Sequence, residues 1–314
     1  MARALVTGGA GFIGSHLVDA LVGRGDQVVV ADDLSTGKES NLAAALEAGA
    51  RLERVDVTDA AALAALAREA EADLFFHLAA QIDVRRSVED PSLDAEVNVV
   101  GTVNALEGAI AAGARSFVLA SSGGTVYGDG LGRESLLPFD EEAECLPASP
   151  YGQSKLAAEG FVGLYARERG LAAASLRLGN VFGPRQDPAN EAGAVSIFLQ
   201  RASAGEGPRV FGDGTQTRDY LYITDAVRGI IAAADQGASG VFNVGTGVET
   251  SVLELVGAVG AATGLDGFEP AFESAREGEV MRVAFDPAKA QAELGWKPQL
   301  TLEEGLATLL ARGD

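Results

Sequence analysis

The sequence is poor in the residues that build disulfides and metal sites. It contains one cysteine, Cys145, and two histidines, His16 and His77. A single cysteine cannot form an internal disulfide, and two histidines without a cysteine pair argue against a histidine- or thiolate-rich metal site. We therefore expect no metal, and the lone thiol fits a protein of the reducing cytoplasm.

Long apolar runs and positive charge are also scarce. No stretch approaches the roughly 18 apolar residues of a membrane-spanning helix. The first residues, "MARALVTGG", enter a strand pattern directly, so we expect no secretory signal. The 314 residues carry a net charge of −21 and include four lysines. Such a surface repels nucleic acid and anionic membranes, so an anionic small-molecule ligand would depend on a few well-placed arginines.

Short apolar runs alternate with helical patterns through the first half of the chain. We predict strands at residues 3–7, 27–31, 51–55, 73–78, 115–120 and 172–178. Between them lie stretches such as "FIGSHLVDALVGR" and "NVVGTVNALEGAIAAG", apolar at the three- and four-residue spacing of helices. This alternation predicts an α/β protein with a doubly wound parallel sheet, covered on both faces.

A glycine-rich segment, "TGGAGFIG" (7–14), follows the first predicted strand and opens a helix. Gly9, Gly11 and Gly14 fit the dinucleotide-binding fingerprint, and Gly8, Gly11 and Gly14 fit its wider-spaced variant. Glycines here permit a tight turn, let the backbone approach a pyrophosphate and allow close helix-strand packing, while helix N-terminal amides face the negative charge. The segment predicts a Rossmann-type fold.

Acidic and small residues at the next strand ends fit the rest of a dinucleotide. Asp32 ends the second strand, where a carboxylate accepts hydrogen bonds from the adenosine ribose and repels a 2′-phosphate, so NAD is favoured over NADP. Asp56 and Val57 end the third strand, suitably placed to line an adenine. Small residues in "HLAA" (77–80) leave room for the cofactor, and His77 is interpreted as a packed strand residue.

Tyr151 and Lys155 stand four positions apart in "YGQSK", so they share one face of the helix that opens after "ASP" (148–150). Following a dinucleotide fingerprint, this pair predicts proton transfer by the tyrosine. A nearby ammonium and a positive nicotinamide would lower the pKa of the phenol until it accepts a proton near neutral pH. The cofactor takes the hydride.

The chain resembles the extended short-chain dehydrogenase/reductases and, among them, the UDP-glucose 4-epimerases. The resemblance covers nearly the whole sequence. It depends on the stretches "TGGAGFIGSHLVDAL", "DDLSTG", "HLAAQIDVRRSVEDP", "SSGGTVYG", "SPYGQSK", "LRLGNVFGPRQ", "VFGDGTQTRDYLYITD" and "FNVGTG".

After Gly179 the pattern loosens into short pieces rich in glycine and proline, which predicts a smaller, partly interleaved C-terminal substrate lobe. We expect an NAD-binding domain of residues 1–179 with about 219–247, and a UDP-sugar-binding lobe of about 180–218 and 248–314. Helices are predicted near 250–262, 287–294 and 301–312.

The resemblance implies a set of cofactor contacts. The residues expected at NAD are Gly8, Gly11, Phe12, Ile13, Gly14, Asp32, Asp33, Leu34, Ser35, Thr36, Gly37, Asp56, Val57, Leu78, Ala79, Ala80, Gln81, Asn98, Tyr151 and Lys155. Relatives often have Asp-Asn after the second strand, whereas this chain has Asp32-Asp33. The additional like charge beside the ribose is expected to weaken NAD binding slightly.

It also implies substrate contacts in the second lobe. Asn180 is expected at the substrate diphosphate, and Phe211 resembles the aromatic residue that stacks on uracil. Arg218, with Tyr220 beside it, and Arg276 would clamp the diphosphate, which suits the guanidinium fork. Val283 aligns with a gate where a tyrosine restricts the pocket to plain hexoses, so the smaller valine predicts that an N-acetyl group at carbon 2 fits.

In "SSGGTVYG" (121–128) the chain departs from the family pattern. Many relatives carry at position 123 the Ser or Thr that bridges the catalytic tyrosine and the sugar hydroxyl, and here that residue is Gly123. Ser122 is the preferred replacement, because it ends the strand and the glycine leaves the backbone free to turn it; Thr125 and an ordered water remain open. No acidic side chain lies in this stretch, which argues against the related 4,6-dehydratases and decarboxylases.

We therefore expect an NAD-dependent UDP-glucose 4-epimerase, which oxidises the hexose at carbon 4 to a 4-keto intermediate and re-reduces it on the other face. Two alternatives stay open: a 4-epimerase of another UDP-sugar (N-acetylhexosamine or glucuronate), and a non-catalytic NAD-sensing protein on the same fold. The family implies a homodimer through the helices near 93–112 and 149–168.

Overall fold

The computed structural model describes residues 1–188, 193–265, 267–276 and 278–311. Its centre is a sheet of seven strands, all parallel. Numbered along the chain, they are β1 (Arg3–Thr7), β2 (Gln27–Ala31), β3 (Arg51–Glu53), β4 (Leu74–His77), β5 (Ser116–Ser122), β6 (Ala172–Leu178) and β11 (Gly240–Val244). They lie in the order β3-β2-β1-β4-β5-β6-β11. The order reverses beside β1, and open α/β sheets bind ligands at that point, beyond the carboxyl ends of the strands.

All six predicted strands are present, although some end elsewhere. The strand predicted at 51–55 stops at Glu53, because it is an edge strand that pairs with only three residues of β2. The strand predicted at 115–120 continues to Ser122, because Ser121 and Ser122 still pair with β6. Ser122 is therefore the last residue of a paired strand and not part of a loop.

Helices cover both faces of the sheet. The face with α1 (Phe12–Gly23) and α10 (Ile223–Asp235) is opposite the face with α3 (Ala60–Glu69), α6 (Gly101–Ala112) and α8 (Pro150–Arg169). Alternate strand residues enter the two cores: Phe75 and Phe117 pack with α3 and α6, whereas Phe76 and Val118 pack on the other side. This arrangement confirms the predicted doubly wound α/β fold.

Shorter helices connect these layers. They are α2 (Ala43–Glu47), α4 (Val84–Glu89), α5 (Pro91–Ala95) and α7 (Gly123–Val126), together with 3₁₀ turns at Glu39–Leu42 and Glu134–Leu136. In the part of the chain that the structure describes, no helix is long and apolar enough to cross a membrane.

The helix predicted from "NVVGTVNALEGAIAAG" contains a wider turn at its start. Residues Glu96–Val100 form a π-helix, and α6 begins only at Gly101. Thr102 donates its hydroxyl to the carbonyl oxygen of Asn98 in this turn (2.6 Å). Single π turns occur inside helices, often at functional sites, and this one orients Asn98 towards the segment that follows β4.

The rest of the chain forms a second lobe beside the sheet. Its strands are β7 (Asn180–Phe182), β8 (Arg209–Phe211), β9 (Thr217–Arg218), β10 (Tyr220–Tyr222), β12 (Thr250–Ser251) and β13 (Ala271–Glu273), which pair as β7-β10, β8-β13 and β9-β12. Its helices are α9 (Ala194–Ser203), α11 (Val252–Thr263), α12 (Ala288–Leu294) and α13 (Leu302–Ala311). The last three helices match the predicted ones to within two residues at each end; residue 312 lies outside the described residues. One apolar cluster runs from the sheet into this lobe.

Candidate active site

The segment 7–14 forms a close-packed turn between β1 and α1. Gly8 has a φ of +68°, and a Cβ there would lie 2.5 Å from the backbone nitrogen of Ala79. A Cβ on Gly14 would lie 2.1 Å from the carbonyl oxygen of Gly8. Gly11 is the N-cap of α1 and has no capping side chain, so the unpaired amides of the first turn, which begins with Phe12 and Ile13, remain for a ligand. The turn fits a pyrophosphate at a helix N-terminus.

Asp32 is fixed where β2 ends. Its Oδ2 accepts a hydrogen bond from the amide of Ala10 and its Oδ1 from the amide of Leu34, both at 2.9 Å. Burial raises the pKa of the Asp32 carboxyl, the two backbone amides oppose that shift, and the charge of Asp33 adds to it. The carboxylate is thus held in one orientation beside the glycine turn, where the predicted ribose contact requires it.

The loop after Asp32 is shaped by its backbone. Asp33 accepts hydrogen bonds from the amide (2.9 Å) and the hydroxyl (2.7 Å) of Ser35. Leu34 has a φ of 59°, a backbone conformation that residues other than glycine rarely adopt. Thr36 is exposed, and a Cβ on Gly37 would lie 2.9 Å from Oδ1 of Asp32. The loop therefore packs directly against the Asp32 carboxylate.

The two residues predicted to line an adenine, just after the third strand, differ in their exposure. Asp56 is exposed and accepts hydrogen bonds from the amide and hydroxyl of Thr58, both at 2.8 Å. The Val57 side chain is buried, and a Cβ on Gly101 would lie 2.8 Å from it. Val57 is thus mainly a core residue, and the missing side chain of Gly101 allows α6 to approach it closely.

A hydrogen-bonded pair fixes the segment that follows β4. Leu78, Ala79 and Ala80 are half-buried. The amide of Gln81 donates to Oδ1 of Asn98 (2.9 Å), and Nδ2 of Asn98 donates back to the carbonyl oxygen of Gln81 (3.0 Å).

Asp94, which the sequence analysis did not single out, completes this pair. Its Oδ1 accepts hydrogen bonds from Gln81 (2.9 Å) and Asn98 (3.1 Å), and its Oδ2 is buried without a hydrogen-bond partner. The "DAEVN" spacing, which puts Asp94 and Asn98 four residues apart, was the signal that could have identified it.

His77 is a packed strand residue, located below the site. Thr102 donates its hydroxyl to Asn98, so it can only accept from Nε2 of His77 (3.2 Å), and Nδ1 of His77 then accepts from Thr7 (2.7 Å). Burial, reinforced by the charge of Lys155, lowers the pKa of His77 to about 3. The imidazole is therefore neutral near pH 7, with its proton on Nε2.

Tyr151 and Lys155 are both buried on one face of α8. Ser149 caps this helix by accepting from the amide of Gly152 (3.1 Å), and Pro150 occupies its first turn, as a helix start requires. Nζ of Lys155 donates to the carbonyl oxygen of Ala120 in β5 (3.0 Å) and lies 5.9 Å from the Tyr151 ring centroid. The pair lies at the carboxyl end of the sheet.

Burial dominates the electrostatics of the Tyr151–Lys155 pair. Burial raises the pKa of the Tyr151 phenol to about 12; a hydrogen bond with Ser122 opposes the shift, and Asp94 adds to it. Burial also lowers the pKa of Lys155 to about 8, against the charges of Asp94 and Glu159. Lys155 is directed at a backbone carbonyl and is not among the causes that act on Tyr151. The lowering of the Tyr151 pKa by the ammonium together with a positive nicotinamide stays a prediction.

The two candidate hydroxyls have different partners. Ser122 is close enough to the phenol of Tyr151 to lower its pKa, whereas the hydroxyl of Thr125 is directed back at the carbonyl oxygen of Ser122 (3.5 Å). Gly123 does not act as the flexible joint that was expected. It lies in α7, its φ is not positive, and a Cβ there would lie 2.7 Å from the ring of Phe285.

Two predicted substrate residues contact each other in the second lobe. The guanidinium of Arg276 lies over the ring of Phe211, 3.7 Å from its centroid. This distance is well inside the range of cation–π contacts. One face of the phenyl ring is therefore covered by the guanidinium.

The other residues predicted near the diphosphate differ in their exposure and in their contacts with the protein. Nη1 of Arg218 donates to the carbonyl oxygens of Thr217 (2.8 Å) and Val280 (2.7 Å), and Nη2 pairs with Glu279 (3.4 Å). Asn180 is exposed. Tyr220 is buried, which raises the pKa of its phenol to about 12. Arg218 thus ties β9 to the segment after Arg276 as well as offering charge.

Val283 does not occupy a gate. Its side chain is fully buried and packs in an apolar cluster with Tyr127, Phe139 and Phe285. A side chain without exposed surface cannot line an open sugar pocket, so the structure corrects this prediction. The breadth towards N-acetyl sugars that was inferred from Val283 loses its structural reason.

Asp219 and Glu159 are buried acids that the sequence reasoning missed. Asp219, inside the quoted "TRDY", accepts hydrogen bonds from the amides of Thr246 (2.8 Å), Gly247 (2.9 Å) and Phe285 (3.2 Å), and its pKa is raised by burial. Glu159 pairs with Arg177 (2.7 Å) and accepts from Ser121 (2.5 Å). Asp219 thus holds backbone segments near the site, and Glu159 holds the side chains of Ser121 and Arg177. Among the described residues, no cluster of three or more metal-ligating side chains occurs.

The chain matches known proteins over its whole length. The model of the NAD dependent epimerase/dehydratase family matches residues 4–245. The chain is 46% identical over 308 residues to a UDP-glucose 4-epimerase of Mycolicibacterium smegmatis, covering 97% of this chain and 96% of that protein.

Two solved structures are similar. The UDP-glucose 4-epimerase of Thermotoga maritima with UDP-glucose gives a TM-score of 0.93 at 41% identity, covering 98% of this chain and 97% of that one. The UDP-glucose 4-epimerase of Thermus thermophilus in complex with NAD gives 0.88 at 38% identity, covering 98% of each chain.

The chain belongs to the NAD dependent epimerase/dehydratase family. The residues present fit NAD. Gly8 and Gly14 leave a cradle that any Cβ would fill, and Asp32 is held by two backbone amides in one orientation beside it. Lys155 and Tyr151 lie at the same end of the sheet.

Proposed function

We propose that the protein is an NAD-dependent UDP-glucose 4-epimerase, which interconverts UDP-glucose and UDP-galactose through oxidation at carbon 4 and re-reduction on the other face. One observation supports this most strongly: the phenol of Tyr151 is buried on the same face of α8 as Lys155, which donates to the carbonyl oxygen of Ala120 in β5, near a cradle suited to NAD. The full-length similarity to UDP-glucose 4-epimerases supports the sugar.

In this proposal Tyr151 is the proton acceptor and donor for the carbon 4 hydroxyl. Bound NAD supplies the hydride acceptor, together with a positive nicotinamide that lowers the pKa of a nearby phenol. Ser122 bridges Tyr151 and the sugar hydroxyl, so that a proton can be exchanged through hydrogen bonds of ordinary length. Lys155, which is anchored to Ala120, holds the nicotinamide ribose.

The acids near the site favour an epimerase over a dehydratase. No acidic residue lies in 121–128. Glu159, which contacts this stretch through Ser121, is occupied by a buried ion pair with Arg177. Elimination of water or loss of a carboxylate in this stretch would have no additional acid or base available, so the ketone formed at carbon 4 is simply reduced again.

The second lobe is proposed to hold the UDP moiety. Phe211 would stack on uracil, and Arg276, which lies over its ring, and Arg218 would bind the diphosphate together with the exposed Asn180. Their charges compensate for the net charge of −21, which otherwise repels an anionic sugar nucleotide.

We further propose a cytoplasmic homodimer that forms through the helices near 93–112 and 149–168. Val100 is 48% exposed and Leu164, in α8, is 39% exposed. These apolar side chains would be covered by a second copy. Light scattering of the purified protein and of Leu164→Glu tests the dimer: the variant should elute as a monomer.

The test of the proposed activity is incubation of the purified protein with UDP-glucose, UDP-galactose, UDP-N-acetylglucosamine and UDP-glucuronate, with products separated by chromatography. We expect interconversion of the two plain hexoses and NAD retained on the protein. Turnover of another UDP-sugar alone would assign a different substrate, and no turnover of any sugar with NAD bound would favour the sensing role.

A further inference from the structure

Position 123 requires a glycine because of the side chain packed against it, and not because of its backbone conformation. Its φ lies in the ordinary range, which any residue can adopt. However, a Cβ at this position would lie 2.7 Å from Cε1, 2.8 Å from Cζ and 3.0 Å from Cδ1 of Phe285. Real Cβ contacts are not that short, so the phenyl ring occupies the volume that a side chain at position 123 would need.

The ring of Phe285 is itself fixed from several sides. A Cβ on Gly245 would lie 3.0 Å from its Cδ2, so the ring is wedged between two glycines. Its backbone amide donates to Oδ2 of Asp219 (3.2 Å). The ring stacks on Tyr127 with centroids 5.9 Å apart, and Tyr127 stacks on Phe139 at 5.0 Å. Phe285 is fully buried, so its ring is held by packing and its backbone by the hydrogen bond to Asp219.

Because Gly123 follows Ser122 directly, the ring limits where the end of β5 can turn. Ser122 pairs with Leu178 in the sheet, and the next residue is pressed against the ring. The side chain of Ser122 is thereby held near the phenol of Tyr151, whose pKa it lowers.

We propose that Phe285 is a positioning residue for the reaction. The ring takes the place of the missing side chain at position 123 and keeps the hydroxyl of Ser122 within reach of Tyr151. Gly123 and Phe285 form one unit: neither is replaceable alone. This inference rests on the proposed role of Ser122 in the epimerase, and it links that hydroxyl to the second lobe, which supplies Phe285.

The test compares Phe285→Leu with Phe139→Leu, a matched control in the same aromatic cluster that does not contact Gly123. Both variants lose stacking and should melt at lower temperature. Phe285→Leu should lower kcat about tenfold with KM within about twofold, since a disordered hydroxyl loses part of a proton-transfer contribution of roughly 10²-fold. Phe139→Leu should retain kcat. An equal loss of kcat in both variants would show a structural role only.

Non-additivity gives the second readout. Ser122→Ala should lower kcat about 10²-fold in the wild type but about tenfold or less in Phe285→Leu, because the hydroxyl is already displaced there. Gly123→Ala should be severely damaging in the wild type and tolerated in Phe285→Ala, which opens the required space. Full additivity in both cycles would overturn the proposal.

A readout without turnover separates this proposal from the activity. In protein labelled with 3-fluorotyrosine, the fluorine NMR signal of Tyr151 is assigned by its loss in Tyr151→Phe. The signal should shift in Phe285→Leu and in Ser122→Ala and stay in place in Phe139→Leu, whichever sugar the protein uses. An unmoved signal in Phe285→Leu overturns the positioning role even if epimerisation is confirmed. A shifted signal supports it even if UDP-glucose is not turned over.

Discussion

The two sides of the candidate site are built in different ways. On the cofactor side, Gly8 and Gly14 shape the cradle by having no side chain, and Asp32 is held by two backbone amides. On the second-lobe side, Arg276 covers Phe211 and Arg218 binds backbone carbonyls of its own chain. The shape of the cofactor side is fixed by the backbone. The shape of the second-lobe side depends on contacts that its side chains make within the protein.

This difference determines what each side can tolerate. A glycine with a positive φ or a 2.1 Å approach excludes every other residue, so its position can be recognised in a sequence. A side-chain pair such as Arg276 and Phe211 can form in many sequences, and other residue types can make a similar contact. Single substitutions on the cofactor side are therefore expected to have large effects on binding and activity, and those on the substrate side small ones.

The largest effect is expected where the two sides meet, at Tyr151. Tyr151→Phe should lower kcat by roughly 10³-fold, since a general acid-base group typically contributes 10²–10⁴-fold, while NAD remains bound because the ring is retained. Steady-state kinetics with UDP-galactose measures this. Tyr165→Phe, in the same helix but hydrogen-bonded to Glu107, is the matched control and should retain activity.

The next largest effect tests the hydroxyl beside it. Ser122→Ala should lower kcat by about 10²-fold, and Thr125→Val by much less, because Thr125 is directed at a backbone carbonyl. The reverse ranking in kcat would move the bridging role to Thr125. Near-normal kcat in both variants would leave a water as the bridge.

The cofactor side is tested by Asp32→Ala. Loss of a charged hydrogen-bonding partner should weaken NAD binding by about 1–3 kcal/mol, measured by calorimetry on protein stripped of nucleotide. The control is Asp33→Ala, which removes the like charge that faces Asp32 and should bind NAD slightly more tightly. A preference of the wild type for NADP would contradict the role given to Asp32.

A pH effect is expected from the buried histidine under the cofactor side. Its folded-state pKa of about 3 lies below the usual 6.5, so the unfolded state binds a proton that the folded state does not. The stability that His77 contributes is present above pH 6.5 and is lost as pH falls towards 3. The slope should be about 1.4 kcal/mol per pH unit.

Urea unfolding between about pH 5 and 6.5 isolates this slope, because carboxylates titrate mostly below that range. His77→Gln should flatten it. His16→Gln, which changes the only other histidine, should not. A slope that disappears in the second variant instead would contradict the assignment to His77.

The smallest effect is expected on the substrate side. Arg276→Ala should raise KM for UDP-glucose about threefold to fivefold, as an exposed charge contributes roughly 1 kcal/mol or less, with kcat nearly unchanged. Arg209→Ala, an exposed arginine paired with Glu273 in the neighbouring strand pair, is the control. A hundredfold change in KM would place Arg276 among the essential residues and erase the contrast between the two sides.

The same contrast explains what could be predicted from the sequence. The parallel sheet, the glycine turn and the Tyr151–Lys155 face follow from periodicity and from residues with few conformational options. Val283 was misplaced because a position in an aligned segment does not reveal burial. Phe285 could not be predicted to fill the space at Gly123, since they are 162 positions apart and only the fold brings them together.

The π turn at Glu96–Val100 has a consequence for chain length. In this turn the helix contains one residue more than an α-helix of the same rise would, so the residues on its two sides are out of phase by about 100°. Asn98 faces the cofactor segment on one side of the offset, and α6 packs on α3 on the other. Removing a single residue here would leave every side chain chemically intact and yet rotate one of these two faces away from its partner. The length of this segment is therefore as constrained as its composition.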